Sequence, residues 1–302
     1  LFKGMVMSST TILIGPTGFL GLSFLEKNPN IIAVGRRKIP SSLSNKFIKI
    51  DSIDDFSLLD SVQFDNVIFL IGSSDHEILN SHPTLAMEKN VLPLSKFLHY
   101  LKESNKKINK VITFTTMLQY DSKKISNPCN EGQPKNPYVN NYVLSKYTAE
   151  LVSQRYREWL PIIDIRLSNV YGPTPLKRPD LVPTLIWKII KNQQISVWTK
   201  KPKRDFVYVD DVINAVIALI GSSYSGPVNI GSGVMKSVGD VCNILQNLSS
   251  CEIEDLDKEV SGHYEYCHDL SLVKSLTNWA PEYSLKKGLE KTYKTMSRWN
   301  DE

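Results

Sequence analysis

Thr11-Ile12-Leu13-Ile14-Gly15-Pro16-Thr17-Gly18-Phe19-Leu20-Gly21 decides how this chain folds. The apolar run over 11–14 has the length and residue types of a buried strand. Three glycines spaced by three follow it, and a helical pattern runs over 19–26. Gly15 permits the tight bend, Gly18 lets backbone come close to a pyrophosphate, and Gly21 lets the helix pack tightly on the strand. The helix N-terminus would then face negative phosphates.

Outward from this turn, apolar runs at 31–34, 47–50, 67–71, 111–114 and 162–166 read as strands. Helical patterns cover 84–103 and 139–159. Strands alternating with helices predict an α/β fold with a doubly wound parallel sheet. The polar stretch 121–137, with Pro128, Pro134 and Pro137, predicts a long functional loop. Pro173, Pro175, Pro179 and Pro183 crowd the segment 172–183 and mark a change of organisation. The expected division is a dinucleotide-binding domain over 10–171 with 203–232 returning to it. A smaller C-terminal substrate-binding lobe is expected from 172–202 and 233–299.

The 302 residues suffice for one large α/β domain with an appendage. With 41% hydrophobic and 22% charged residues, the composition is that of an ordinary soluble globular protein. The net charge of +5 is scattered in short pairs such as Lys200-Lys201, without a basic block or an aromatic stripe. That argues against nucleic-acid binding. Four cysteines lack C-x-x-C or metal-site spacing, so no metal is expected and a reduced, cytoplasmic protein is. No apolar run is long enough to cross a membrane. The opening 1–9 lacks the apolar centre of a secretory leader, and Met5 or Met7 is a candidate start.

Tyr142 and Lys146 stand four apart, on one face of the second long helix. An ammonium beside a phenol favours the phenolate, which suits Tyr142 to exchange a proton with a hydroxyl or carbonyl near neutral pH. A phosphate-binding turn followed by such a pair points to hydride chemistry on an alcohol or ketone. After the second strand the chain offers Arg36 and Arg37, where an NAD-binding fold places an acid for the ribose 2′-hydroxyl. Arginines suit a 2′-phosphate instead, which favours NADP(H) and leaves NAD(H) possible. Thr115 and Thr116 end the strand at 111–114, where a hydroxyl faces the ligand crevice, and Thr116 could hydrogen-bond the reacting oxygen. The plain alternatives are solvent-facing arginines in a loop and a β-branched residue closing a strand.

Together these residues resemble the extended short-chain dehydrogenase/reductase family, especially its nucleotide-sugar epimerase/dehydratase branch. The likeness runs over 11–299. Gly15, Gly18 and Gly21 match its cofactor turn, in which Thr17, Phe19 and Leu20 also lie. Asp51 matches the acid that contacts adenine, and Asn90-Val91 an Asn-Val pair before a helix. Thr116 falls where the family has its catalytic Ser or Thr, and Tyr142 and Lys146 on its catalytic pair. Arg166-Leu167-Ser168-Asn169-Val170-Tyr171-Gly172-Pro173 resembles R-x-x-N-V-Y-G-P. Arg204-Asp205-Phe206-Val207-Tyr208-Val209-Asp210 resembles R-D-F-x-x-V-x-D. Ile71-Gly72 replaces a usual Ala-Ala, and no glycine-rich turn precedes Arg204.

The resemblance implies a Rossmann-type fold, a nucleotide-sugar substrate and a homodimer through the Tyr142 helix. It implies cofactor contacts from Ile71, Gly72, Asn90 and Val170 as well as the turn. It places Asn169 and Arg204 on the substrate's diphosphate, with Lys258 as the candidate for a second basic contact. Met117 and Leu118 follow Thr116 where a dehydratase needs acids, which argues against dehydration. The expected activity is an NADPH-dependent reduction of a 4-keto nucleotide sugar. The alternative is a nucleotide-sugar 4-epimerase, and a remote one is a dinucleotide-sensing protein without turnover.

Overall fold

The computed structural model describes residues 9–43, 46–53, 55–260 and 262–299, so the reading of the first residues lies outside it. The first part of the chain forms β1 (Thr11–Ile14), α1 (Phe19–Lys27), β2 (Ile32–Gly35), β3 (Phe47–Lys49) and β4 (Asn66–Phe69). Then come α2 (His76–Ser81), α3 (Pro83–Asn90), α4 (Leu92–Glu103), β5 (Lys110–Thr116), α5 (Asn141–Tyr156) and β6 (Ile162–Leu167). The rest comprises β7 (Asn169–Tyr171), α6 (Leu181–Ile190), β8 (Ser196–Val197), β9 (Lys203–Tyr208), α7 (Val209–Ile220) and β10 (Gly226–Ile230). It closes with β11 (Met235–Ser237), α8 (Val238–Ser249), β12 (Glu254–Asp255), α9 (Ser271–Thr277) and α10 (Leu285–Arg298).

A seven-stranded parallel sheet runs in the order β10-β6-β5-β4-β1-β2-β3. The expected α/β, Rossmann-type sheet is therefore present. The winding reverses between β1 and β4, and such a switch point is where α/β sheets bind ligands. Strands β1, β2 and β4 are buried at every residue, which is why they read as continuous apolar runs rather than alternating ones. Phe97 of α4 fills the space over the sheet, its ring 4.9 Å from Phe56 and 5.3 Å from Phe69.

Two compact units emerge. The first takes in Leu1–Thr115, Tyr138–Ile165 and Ile220–Pro227. The second takes in Thr116–Pro137, Arg166–Leu219 and Val228–Glu302. Of the stretch 203–232, β10 lies in the seven-stranded sheet. Strand β9 instead joins β7 and β11 in a separate three-stranded sheet, and β8 pairs with β12. The single helix expected over 84–103 is two, α3 and α4, because Pro83 and Pro93 each sit in a first turn, where proline starts a helix. Helix α2 was not expected; Asp75 caps it by accepting from the Ile78 N–H. In the second unit, a Cβ on Gly288 of α10 would lie 2.0 Å from the Tyr171 hydroxyl, so that helix can seat on β7 only with glycine there.

Candidate active site

In the first unit, the glycine turn has the form its sequence predicts. Gly15 adopts φ +85°, and a Cβ there would meet the Ile71 nitrogen at 2.9 Å. A Cβ on Gly21 would sit 2.5 Å from the Pro16 carbonyl oxygen. Gly18 caps α1, and a Cβ on it would touch nothing within 4 Å, so the turn is open at that point. The first turn of α1 carries no acidic residue, leaving a helix N-terminus suited to an anion. Arg37 reaches back to this turn and donates from Nη2 to Thr17 Oγ1 at 3.1 Å. Arg36 is exposed beside it. Asp51 is exposed after β3, where it pairs with Lys49 at 3.4 Å. The open turn, the N-terminal amides of α1 and the basic side chains of Arg36 and Arg37 fit the anionic phosphates of a dinucleotide.

Residues from four elements converge on α5. Gly72 follows β4, and a Cβ there would meet Asn90 Oδ1 at 2.9 Å and Lys146 Nζ at 3.3 Å. Glycine at this position lets Asn90 and Lys146 approach the backbone closely. The Asn90 side chain of α3 is buried and committed at both ends: Oδ1 accepts from the Ser73 N–H (2.7 Å) and Nδ2 donates to Ser145 Oγ (2.9 Å). Ser145 in turn donates to the Tyr142 carbonyl at 2.8 Å. Lys146 Nζ donates to the Phe114 carbonyl at 3.4 Å, and burial pushes its ammonium down to about 8. One turn later on α5, Glu150 accepts from Thr115 Oγ1 at 3.3 Å. Tyr142 is buried, its backbone N–H donates to Asn80 Oδ1 (3.0 Å), and its ring stacks on His76. The turn, Ile71, Gly72, Asn90, Tyr142 and Lys146 thus gather about the switch point.

The second unit holds the other candidates. Thr116 accepts from the Leu118 N–H at 3.2 Å and so caps the short turn at Met117–Gln119. Asn169 points its amide at the Asp205 carbonyl (3.3 Å) and the Met117 sulfur (3.9 Å), which brings it to the turn that Thr116 opens. Val170 is half-buried and pairs with Val207 across β7 and β9. Arg204 donates from Nη1 to the Tyr264 carbonyl at 2.7 Å. Phe206, on the same strand face as Arg204, lines a cavity of about 220 Å³ together with Val234, Lys236 and Tyr283. Lys258 is exposed; what fixes it is its backbone N–H, donated to the Trp198 carbonyl at 2.7 Å.

Motif residues that lie beside these candidates serve as scaffold. Arg166 is 1% exposed and donates from Nη1 to the Tyr120 hydroxyl (2.9 Å) and the Glu131 carbonyl (2.8 Å). The Tyr120 hydroxyl donates to Asn229 Oδ1 at 2.7 Å, and the Asn229 N–H donates to Glu131 Oε1 at 2.8 Å. Asp205 is fully buried and accepts from the Ser232 N–H (2.6 Å), the Gly233 N–H (3.1 Å) and the His268 N–H (3.1 Å). Burial raises its carboxyl, and those donors oppose the rise. Sequence reasoning missed His76 and Asn80. The one signal for them was Asp75, an N-cap residue ahead of Ile78 and Leu79.

The model of the NAD dependent epimerase/dehydratase family matches residues 11–231. A UDP-glucuronate 4-epimerase of Thermodesulfobacterium geofontis is 26% identical over 273 residues, covering 84% of this chain and 80% of that protein. CDP-abequose synthase of Salmonella muenchen is 27% identical over 169 residues, 51% of this chain and 55% of that one. Among solved structures, UDP-glucose 4-epimerase of Thermotoga maritima with UDP-glucose superposes with a TM-score of 0.86 at 22% identity, over 97% of this chain and 100% of that one. RMD of Pseudomonas aeruginosa complexed with NADPH gives 0.79 at 19% identity, over 97% and 99%. The glycine cradle, the switch point and the family match agree: this chain is an enzyme of short-chain dehydrogenase/reductase type and belongs to the NAD dependent epimerase/dehydratase family.

Proposed function

We propose that the chain reduces a 4-keto nucleotide sugar with NADPH. The observation that carries this reading is the set of contacts around α5 in the first unit. Gly15, just after β1, abuts Ile71, and Gly72 abuts Lys146 Nζ, which supports reading the glycine turn and the Tyr/Lys pair as one site. Gly15, Gly18 and Gly21 would hold the pyrophosphate of the dinucleotide, and Lys146 its nicotinamide ribose. When bound, the nicotinamide supplies the hydride for the sugar carbon, C4 in this reading. Tyr142 gives its proton to the oxygen that becomes the hydroxyl, and the Lys146 ammonium favours the phenolate left behind. Thr116 is assigned the hydroxyl that orients the reacting oxygen, and Asn169 and Arg204 the diphosphate, from their places in the motifs. The cavity beside Phe206 is offered to the nucleotide end of the substrate.

NADPH is preferred because Arg37 is tied to Thr17 of the turn, and no acid stands at the end of β2. A 4-epimerase is the second reading, favoured by the printed activities of the relatives from T. geofontis and T. maritima. Absorbance at 340 nm with NADPH and a panel of 4-keto and 4-hydroxy nucleotide sugars separates the two. Stoichiometric loss with a 4-keto sugar supports the reductase. A flat trace while a 4-hydroxy sugar converts to its epimer selects the epimerase. Tyr142→Phe should abolish turnover and spare cofactor binding; surviving activity would remove Tyr142 from the chemistry.

A further inference from the structure

We propose that His76 is a positioning residue for Tyr142: its imidazole is the platform that sets the orientation of the phenol. The proposal rests on the reading of Tyr142 as the proton donor given above.

The two rings stack with centroids 4.0 Å apart and planes 30° apart, in direct face contact. The platform is built rather than incidental. Helix α2 starts at His76, and the Asp75 carboxylate fixes that start through the Ile78 N–H at 3.1 Å. Leu79, 1% exposed, anchors the helix in the core. At its far end, Asn80 accepts the Tyr142 N–H at 3.0 Å through its side chain and the Asn141 amide at 2.8 Å through its carbonyl. One short helix therefore grips the same residue twice, by backbone and by ring.

The backbone bonds leave the phenol two torsions to explore, and the imidazole face restricts them. Orientation of this kind is worth much to a reaction, since displacements near 1 Å can cost about 100-fold. A stacked pair contributes enough to change the share of correctly placed phenol by roughly three- to tenfold.

The test compares His76→Ala and His76→Phe with the wild type and with Tyr142→Phe. Rates are taken on the nucleotide sugar that the wild type turns over, cofactor affinity by fluorescence titration, and Tyr142 ring resonances by NMR, assigned from their loss in Tyr142→Phe. His76→Ala should lower kcat by roughly three- to tenfold, leave KM and cofactor affinity within about twofold, and move the Tyr142 ring resonances as the neighbouring ring current disappears. His76→Phe should restore both kcat and the shifts, because it keeps a planar ring face against the phenol. The proposal falls if the shifts stay put in His76→Ala, if kcat is unchanged, or if His76→Phe is as slow as His76→Ala. Should Tyr142→Phe keep wild-type turnover, the reading of Tyr142 falls and this role with it. Should Tyr142→Phe be inactive while His76→Ala is fully active, the positioning role alone is lost.

Discussion

Acid should unfold this protein through His268, and replacing that residue should remove one defined part of the loss. The ring is 1% exposed, its Nδ1–H donates to the Ile230 carbonyl at 3.2 Å, and Nε2 has no hydrogen-bond partner among the described residues. Burial, with the Arg166 charge nearby, pushes its pKa down to about 3, while the Ile230 bond opposes the shift. An imidazole in the unfolded chain takes a proton near 6.5. Between those values the unfolded state binds the extra proton, so stability rises with pH and is complete above about 6.5. Going from pH 7 to pH 4.5 should therefore cost about 2.5 kcal/mol through this ring alone. His268→Asn keeps an N–H for Ile230 and cannot titrate. Urea unfolding followed by tryptophan fluorescence across that range would give both stabilities. The wild type should lose about 2.5 kcal/mol relative to His268→Asn on acidification. Parallel curves would refute the argument.

Gly21→Ala should cost about 1–3 kcal/mol in thermal unfolding, because its new Cβ lies 2.5 Å from a backbone oxygen that cannot swing away. Arg37→Ala should weaken NADPH binding by about tenfold or more and leave NADH binding nearly unchanged in a fluorescence titration. The Lys146 ammonium, held down to about 8, should give kcat a limb that falls by one proton as pH rises through that value. A profile flat to pH 10 would exclude the charge from the reaction. Asp164 is fully buried, and burial together with the charge of Glu150 raises its carboxyl to about 6, against the opposing pull of Arg157. Its protonated form favours the fold below that pH, so the wild type should gain about 1.3 kcal/mol on Asp164→Asn from pH 7 to 5 in the same unfolding assay.

The fold was legible where one physical demand fixes one residue type. Gly15 and Gly21 stand where any side chain would collide, and the buried strands β1, β2 and β4 are predominantly apolar. Tyr142 and Lys146 were legible because helical spacing alone puts them on one face. What the sequence concealed depends on contacts between distant segments. His76 meets Tyr142 across some 66 positions, and no local pattern marks it. Arg166 and Asp205 stand in the same motifs as Asn169 and Arg204, yet their polar atoms are bonded to neighbouring loops, to Tyr120 and to Ser232. Helices α3 and α4 follow one another without an intervening loop, and Pro93 signals the restart at Leu92. Strand β9 pairs with β7 and β11, a partnership between distant segments that no local pattern marks.

The order of strands in the main sheet also sets a timetable for synthesis. Strand β6 has β5 on one side at once, but its other neighbour, β10, ends some 63 residues later in the chain. At roughly 5–20 residues per second, a nascent chain carries that open edge for about 3–13 s. The waiting strand is Ile162–Leu167, rich in isoleucine and offering unpaired backbone groups to any other strand within reach. Chains stalled or cut before residue 226 would keep this edge permanently. They should associate through it, which makes the span between β6 and β10 the part of synthesis in which this edge needs shielding.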